Sequence, residues 1–169
     1  MSTGYTVLID GYNVIKGRDD IFTGTLQDNR RFLRSLVMRA RFAKPVRGIY
    51  IVYDGSPDVC QPNGDRVSAM PREVFATESA DSYIRDRIRS SPAPEKFIIV
   101  SDDREIMSTA KSFCAFCMST VLLLEICLKQ STGQERRGWG VTQTNKRRLS
   151  YAQKRRLEDE LKEYWGIGD

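Results

Sequence analysis

Hydrophobic positions fall into two patterns that alternate along the chain. Short, continuous apolar runs rich in β-branched residues are typical of buried strands, whereas apolar residues at helical spacing predict helices. The runs predict strands at Tyr5–Ile9, Gly48–Tyr53 and Lys96–Val100, with shorter candidates at Arg72–Ala76 and Phe116–Ser119. The helical spacing predicts helices at Leu26–Ala43, Ser79–Arg89, Arg104–Lys111 and Val121–Lys129. Strands that alternate with helices predict parallel βαβ units, hence a Rossmann-like α/β fold whose mostly parallel sheet carries helices on both faces.

The remaining segments predict how the chain divides. Gly11–Asn13 reads as a tight turn, and Ser56–Met70 is rich in Pro, Gly and Asp and reads as a loop. Gln130–Thr144 is polar and is expected to be a linker or lid, followed by a charged helix at Ser150–Tyr164. We therefore expect an α/β domain at residues 1–129 and a basic linker and C-terminal helix at residues 130–169.

Composition places the chain among ordinary globular proteins. It has 169 residues, of which 40% are hydrophobic and 29% charged. No apolar run approaches the roughly 18 residues that span a bilayer, and the first residues lack the pattern of a secretory signal. We expect a cytoplasmic protein with no membrane partner; the sequence leaves its oligomeric state open.

Cysteine and histidine usage narrows the chemistry. Cys114 and Cys117 have the spacing of half a zinc knuckle, but Cys60 and Cys127 form no second close pair. Buried free thiols are therefore the better interpretation. The chain contains no histidine, which excludes Ser–His and Cys–His nucleophiles and any histidine general base.

Basic residues are clustered, and the net charge is +5. Asn29–Tyr53 and Arg136–Arg156 each contain many Lys and Arg residues and no acidic residue. Such blocks are usually solvated faces, but they are also what a polyphosphate backbone requires, so they favour nucleic-acid binding. The candidate nucleic-acid-binding residues are Arg30, Arg34 and Arg41 on one face of the first long predicted helix, and Arg147, Arg148, Arg155 and Arg156 near the C-terminus.

Aspartates end three of the predicted strands. Asp10, Asp54 and Asp102 follow strands, while Glu78 and Asp81 lie where a helix begins. Because the carboxyl ends of parallel strands share one edge, we expect Asp10, Asp54, Asp81 and Asp102 to converge there. Clustered carboxylates need cations, and hard oxygen ligands without imidazole or thiolate select Mg²⁺ or Mn²⁺. An acidic metal pocket beside basic surfaces suits phosphodiester hydrolysis.

Each candidate residue also has a purely structural interpretation. A strand-end Asp often caps a turn or the next helix, and Asp103 is as good an N-cap as a ligand. Asn13 is either a turn residue or a contact to phosphate or water, and Glu78 is either a ligand or a helix-start charge. Three strand-end aspartates in one βαβ series nevertheless favour a shared site.

Four motifs in sequence order carry a family resemblance: Leu8–Ile15 (LIDGYNVI), Val52–Asp54 (VYD), Thr77–Asp81 (TESAD) and Val100–Asp102 (VSD). Together they resemble the NYN branch of the PIN-like nuclease superfamily, and within it the bacterial YacP-like group of ribosome-associated endoribonucleases. The resemblance implies a PIN-type fold, Mg²⁺- or Mn²⁺-dependent RNA cleavage and a basic C-terminal extension. It points to Asp10, Asn13, Asp54, Asp81 and Asp102 as site residues, with Glu78 as an additional ligand, and to mRNA and the ribosome as partners.

Three functional hypotheses follow from the sequence. The leading one is a metal-dependent endoribonuclease, with DNA as an open alternative substrate. The second is a non-catalytic RNA- or ribosome-binding module with the same fold. The third is a phosphotransfer protein, but Gly11 stands where a receiver domain needs a second acid, and the Asp-x-Asp motif of a dehalogenase-like phosphatase is missing.

Overall fold

The computed structural model describes residues 4–55 and 70–131, together with Arg155 and Asp159. The strands are β1 (Tyr5–Asp10), β2 (Val46–Asp54), β3 (Arg72–Ala76), β4 (Phe97–Val100) and β5 (Phe116–Met118). The helices are α1 (Gly11–Lys16), α2 (Leu26–Arg39), α3 (Ala80–Arg89), α4 (Arg104–Ser112) and α5 (Thr120–Ser131). A 3₁₀ turn at Pro94–Lys96 precedes β4.

The five strands form one sheet in the order β3-β2-β1-β4-β5, and every neighbouring pair is parallel. The chain moves outward from β1 to β2 and β3, then crosses back to β4 on the other side of β1. The carboxyl ends of β1 and β4 therefore form the switch point of the sheet, which is where ligands bind in open α/β folds.

Helices cover both faces of the sheet because the strand residues are apolar on both sides. On one face, Val7, Ile9 and Ile51 pack with the buried residues of α1, α2 and α5. On the other face, Leu8 and Ile99 pack with those of α3 and α4. The expected α/β class, parallel sheet and two helical layers are confirmed.

Two predicted boundaries were wrong. Gly11–Asn13 is not a tight turn but the start of α1, because the Asp10 side chain caps the helix and Val14 and Ile15 give it an apolar face. The second helix ends at Arg39 rather than at residue 43, and Ala40 is already extended. Pro45 restricts the residue before it, so the chain turns back toward the sheet.

Several predictions lie outside the described residues. These are residues 56–69 of the predicted loop, residues 132–144 of the predicted linker and most of the C-terminal helix, in which Arg155 and Asp159 are helical and exposed. Gln130, which was predicted to begin the linker, still belongs to α5. Among the described residues, no helix is long and apolar enough to cross a membrane. Cys127 is buried as expected, but Cys114 is exposed, and both are free thiols.

Candidate active site

Asp10 stands at the switch point of the sheet, at the end of β1, and it is only 6% exposed. Its Oδ1 accepts a hydrogen bond from the backbone N–H of Asn13 (3.1 Å), which caps α1. Its Oδ2 accepts a hydrogen bond from the Ser101 hydroxyl (3.4 Å) on the loop after β4. Asn13 and Ser101 thus each donate a hydrogen bond to one oxygen of the buried Asp10 carboxylate.

The surroundings of Asp10 disfavour its negative charge. Burial is the largest cause, and it raises the pKa of Asp10 from 3.8 to about 6. The hydrogen bonds from Asn13 and Ser101 lower the pKa, whereas the charges of Asp81 and Asp54 raise it. The charges of both carboxylates therefore act on Asp10, as expected from their positions at the sheet edge. A cation bound between them would offset this repulsion.

Asp54 and Asp81 meet at the start of α3. Asp54 ends β2, and its Oδ1 accepts a hydrogen bond from the backbone N–H of Ala80 at 2.6 Å. Burial raises the pKa of Asp81 above its ordinary value of 3.8; Asp103 and Asp54 raise it further, and Arg85 lowers it. The first turn of α3 therefore carries a carboxylate that faces acidic neighbours on two sides.

Asp102 follows β4 as predicted, but its carboxylate is turned toward the start of α5. The backbone N–H and the hydroxyl of Thr120 both donate hydrogen bonds to it. The Asp102 backbone N–H in turn donates to Asn13 Oδ1 at 3.1 Å. Asp102 is not among the groups that shift the pKa of Asp10. In the structure Asp102 therefore caps the start of α5, and Asn13 links α1 to the loop after β4.

Two other acidic residues complete the edge. Asp103 caps α4, because its Oδ1 accepts hydrogen bonds from the backbone N–H groups of Glu105 (2.8 Å) and Ile106 (3.1 Å). Glu78 lies exposed between β3 and α3. Its role as an additional ligand stays a prediction.

Sequence reasoning missed Thr120 and gave Ser101 only a secondary part. Thr120 is 1% exposed and Ser101 is fully buried. A hydroxyl residue directly before an apolar helical run is an N-terminal helix signal, which is present at Ser119 and Thr120. The pairing of this helix start with Asp102, 18 residues earlier, has no local signal.

The oxygen donors fit a hard divalent cation. In the part of the chain that the structure describes, no three His, Cys, Asp or Glu side chains are grouped closely enough to hold a metal ion by themselves. Mg²⁺, however, is usually bound through one or two carboxylates and keeps several water ligands. The Asp10 carboxylate, whose pKa is raised by the charges of Asp81 and Asp54, matches that requirement.

The predicted RNA-binding arginines do not share one surface. Arg30 is 6% exposed, and its guanidinium packs over the rings of Tyr53 (5.8 Å) and Phe75 (5.4 Å). Arg34 is exposed on α2, and Arg41 lies beyond the helix end. Arg30 and Arg34 lie one turn apart on α2, but Arg41 lies outside the helix, so the prediction that all three share one helix face was wrong. Arg155 is exposed, and the other C-terminal arginines lie outside the described residues.

Tyr53 is the largest side chain buried beside the site. Its ring lies 5.1 Å from that of Tyr12 and 5.6 Å from that of Phe75, and the residue has no exposed surface. Its hydroxyl has no hydrogen-bond partner in the structure. Burial raises its pKa above the ordinary value of 10; Glu73 raises it further, and Arg30 lowers it.

Replacement of Tyr53 by phenylalanine is expected to stabilise the protein. The substitution removes a buried polar atom that lacks a partner, and such an atom costs about 1–3 kcal/mol. We expect Tyr53→Phe to raise the free energy of unfolding by about 1 kcal/mol in urea titrations. The half-buried Tyr83 serves as the control, since Tyr83→Phe should change it by less than about 0.5 kcal/mol. A loss of stability in Tyr53→Phe would show that the hydroxyl is hydrogen-bonded in solution.

Comparison with known proteins agrees with this architecture. A parallel α/β sheet with a buried aspartate at its switch point, ringed by further carboxylates, defines the class of PIN-like α/β nuclease domains. The sequence matches the model of the YacP-like NYN domain over residues 7–166, and the chain belongs to that family. The match extends across the predicted domain boundary at residues 129 and 130. Family membership indicates a nuclease-type, RNA-related function.

A solved structure supports the fold independently. A mutant form of Rae1 (YacP) from Bacillus subtilis, known from a crystal structure, is similar with a TM-score of 0.57 and 14% sequence identity. The similarity covers 76% of this chain and 78% of that chain. At this identity the likeness shows the fold alone. No curated protein sequence matches the chain.

Proposed function

We propose that the protein is a divalent-metal-dependent endoribonuclease that uses Mg²⁺ or Mn²⁺. The observation that carries the proposal is the buried Asp10 carboxylate, which lies at the switch point within the electrostatic reach of Asp54 and Asp81. Burial and the neighbouring acids make the charge of this group costly, so its presence favours a role in binding a cation. The family membership of the chain supports RNA as the substrate.

Asp10 and Asp81 would hold the ion, with Asp54 as a further donor. When bound, the ion would supply positive charge to the scissile phosphate and acidify a water molecule. Ser101 and Asn13 keep the Asp10 carboxylate in one orientation through their hydrogen bonds. Asp102 contributes indirectly, because it fixes the loop after β4 against α5 and Asn13.

Positive charges outside the site would hold the RNA backbone. Three arginines are exposed: Arg34 on α2, Arg41 in the segment after it, and Arg155 near the C-terminus. Arg147, Arg148 and Arg156 extend the same basic segment in the sequence. We propose mRNA as the substrate, the ribosome as the partner and the cytoplasm as the location, since the basic segments suit a polyphosphate surface.

The capping contacts of two aspartates favour a second candidate function. Asp54 and Asp102 both accept hydrogen bonds from helix starts, as they would in a fold that had lost its metal. The alternative is a non-catalytic RNA- or ribosome-binding module. Calorimetric titration with Mn²⁺ separates the two functions, because the module would give no heat of binding.

Cleavage of a labelled mRNA fragment tests the proposal. Wild-type protein should cut with Mn²⁺ or Mg²⁺ and not with EDTA, and parallel reactions with ribosomes measure any dependence on them. Asp81→Asn should cleave at least about 100-fold more slowly, because loss of even an outer-shell partner of a metal site costs about 10–100-fold. Asp86→Asn is the matched control, since Asp86 is exposed on the same helix and should cleave at the wild-type rate. RNA binding without cleavage under every condition would favour the binding module.

A further inference from the structure

A largely buried carboxylate, that of Glu73, lies on the edge strand β3, outside the acidic site. The side chain of Glu73 is 16% exposed and forms an ion pair with Arg34 at an N–O distance of 3.9 Å. Among the described residues, no hydrogen bond reaches this carboxylate. Burial raises the pKa of Glu73 above 4.5, while Arg34 and Arg30 lower it. Glu73 has therefore lost most of its water and keeps unused capacity as an acceptor.

A second unsatisfied group lies on the same side of the sheet. The Tyr53 hydroxyl on β2 is completely buried and has no hydrogen-bond partner among the residues that the structure describes. Glu73 and Phe75 face the same helical layer as Tyr53, because alternate residues of a strand share a face and Tyr53 pairs with Phe75. Folded proteins rarely leave buried polar groups unpaired. Two such groups on the α2 side of the sheet indicate a binding site for a polar ligand.

We propose that Glu73 and Arg34 recognise a guanine base in the RNA strand that flanks the cleavage site, an inference that rests on the proposed function. The Watson–Crick edge of guanine presents two adjacent N–H donors, which match the two oxygens of one carboxylate. Its O6 acceptor lies next to these donors, where a guanidinium can donate to it. Adenine, cytosine and uracil each lack the pair of adjacent donors, so the Glu73–Arg34 pair complements guanine best.

The position of the pair suits a base in a bound strand. The Tyr53 ring lies against Gly11, the residue after Asp10, and Tyr53 directly precedes Asp54. Phe75 and Tyr12 are half-buried aromatic rings that border the same region, and single-stranded RNA is commonly read by such stacking. The Arg34 side chain is 45% exposed, which leaves this end of the pair open to solvent.

Binding of uridine heptamers that contain a single central guanine, inosine or adenine tests the inference. Fluorescence anisotropy with the full-length protein in EDTA measures affinity without cleavage. We expect the guanine heptamer to bind about tenfold or more tightly than the adenine heptamer, as a bidentate base contact does. Inosine lacks the amino group on C2 and should bind with intermediate affinity.

Two variants assign the preference to the pair. Glu73→Gln keeps the size of the side chain and should abolish the guanine preference, and Arg34→Met, at an exposed position, should weaken it. Glu95→Gln is the matched control, because Glu95 is exposed before β4, on the other side of β1 from β3, and it should retain the preference.

Either equal binding of guanine and adenine heptamers, or no binding of either, would overturn the inference, as would a preference that survives in Glu73→Gln. The nuclease function fails separately. A guanine preference without metal-dependent cleavage would support the guanine site and contradict the nuclease function. Metal-dependent cleavage without a guanine preference would support the nuclease function and contradict the guanine site.

Discussion

Replacement of Asp10 by asparagine is expected to abolish RNA cleavage and at the same time to make the folded protein more stable at pH 7. Asparagine caps a helix as well as aspartate does, so the hydrogen bond from Asn13 and the start of α1 should survive. The substitution removes a charge that burial and the neighbouring acids Asp81 and Asp54 disfavour. Cleavage should fall by more than about 100-fold, since a ligand matters more than its supporting partners.

The gain in stability has a defined pH dependence. The pKa of Asp10 is 3.8 in its ordinary state and about 6 in the fold, so the folded protein holds the proton more tightly. Stability therefore decreases as the pH rises between these values, and the loss is complete above the folded pKa. At about 1.4 kcal/mol for each pH unit between the two pKa values, the wild type loses up to about 3 kcal/mol.

Urea unfolding in EDTA at two pH values measures this effect. Asp10→Asn should exceed the wild type by about 1–3 kcal/mol at pH 7 and by much less near pH 4. Asp86→Asn should differ from the wild type by less than about 0.5 kcal/mol at both. Added Mg²⁺ should stabilise the wild type and leave Asp10→Asn unchanged, because only a folded site binds it. A wild type as stable as Asp10→Asn at pH 7 would contradict an uncompensated charge at this position.

The second large effect is expected from Gly11→Ala. A Cβ atom at position 11 would lie 2.2 Å from Cε1 of Tyr53 and 2.9 Å from a methyl carbon of Ile51. The Tyr53 ring cannot yield, because Tyr12, Phe75 and Arg30 pack around it. Overpacking of this kind costs about 1–3 kcal/mol or more, and here it would displace the residue next to Asp10. Stability and cleavage should therefore decrease together.

A double-mutant cycle identifies the cause of that loss. Tyr53→Leu removes the ring, so Gly11→Ala should cost much less in the Tyr53→Leu background than in the wild type. Gly17→Ala is the control, because the nearest atom to its added Cβ, a backbone oxygen of Asn13, is 3.2 Å away and needs only a small adjustment. Equal costs in both backgrounds would mean that the ring is not what excludes a side chain at position 11.

The parts of the fold that follow from local pattern were predictable. The apolar runs that became β1, β2 and β4 have no polar alternation, which is typical of strands buried on both faces. The strand-end rule placed Asp10 and Asp54 at one edge, and the charges of Asp81 and Asp54 both raise the pKa of Asp10. Neither rule gives the distances between the carboxylates. The sequence therefore could not predict that, in the described residues, no three acidic side chains lie close enough to hold a metal ion by themselves.

The errors concern residues whose partners are distant in the sequence. Arg30 was assigned to a polar face, yet it stands three residues before Leu33 and seven before Val37, on the buried stripe of α2. Its burial depends on the rings of Tyr53 and Phe75, which β2 and β3 supply. The contact of Asp102 with Thr120, 18 residues further along the chain, was likewise missed, and the role of Asp102 as a ligand stays a prediction. Local periodicity contains no information on such contacts.

The acidic edge draws its two central carboxylates from opposite sides of the sheet. Asp10 starts α1, which packs in one helical layer, and Asp81 lies in α3, which packs in the other. A cation shared by these two residues would connect the two helical layers directly. Opening of either layer would then require release of the ion, so the amide protons of α1 and α3 would exchange with solvent as one cooperative unit.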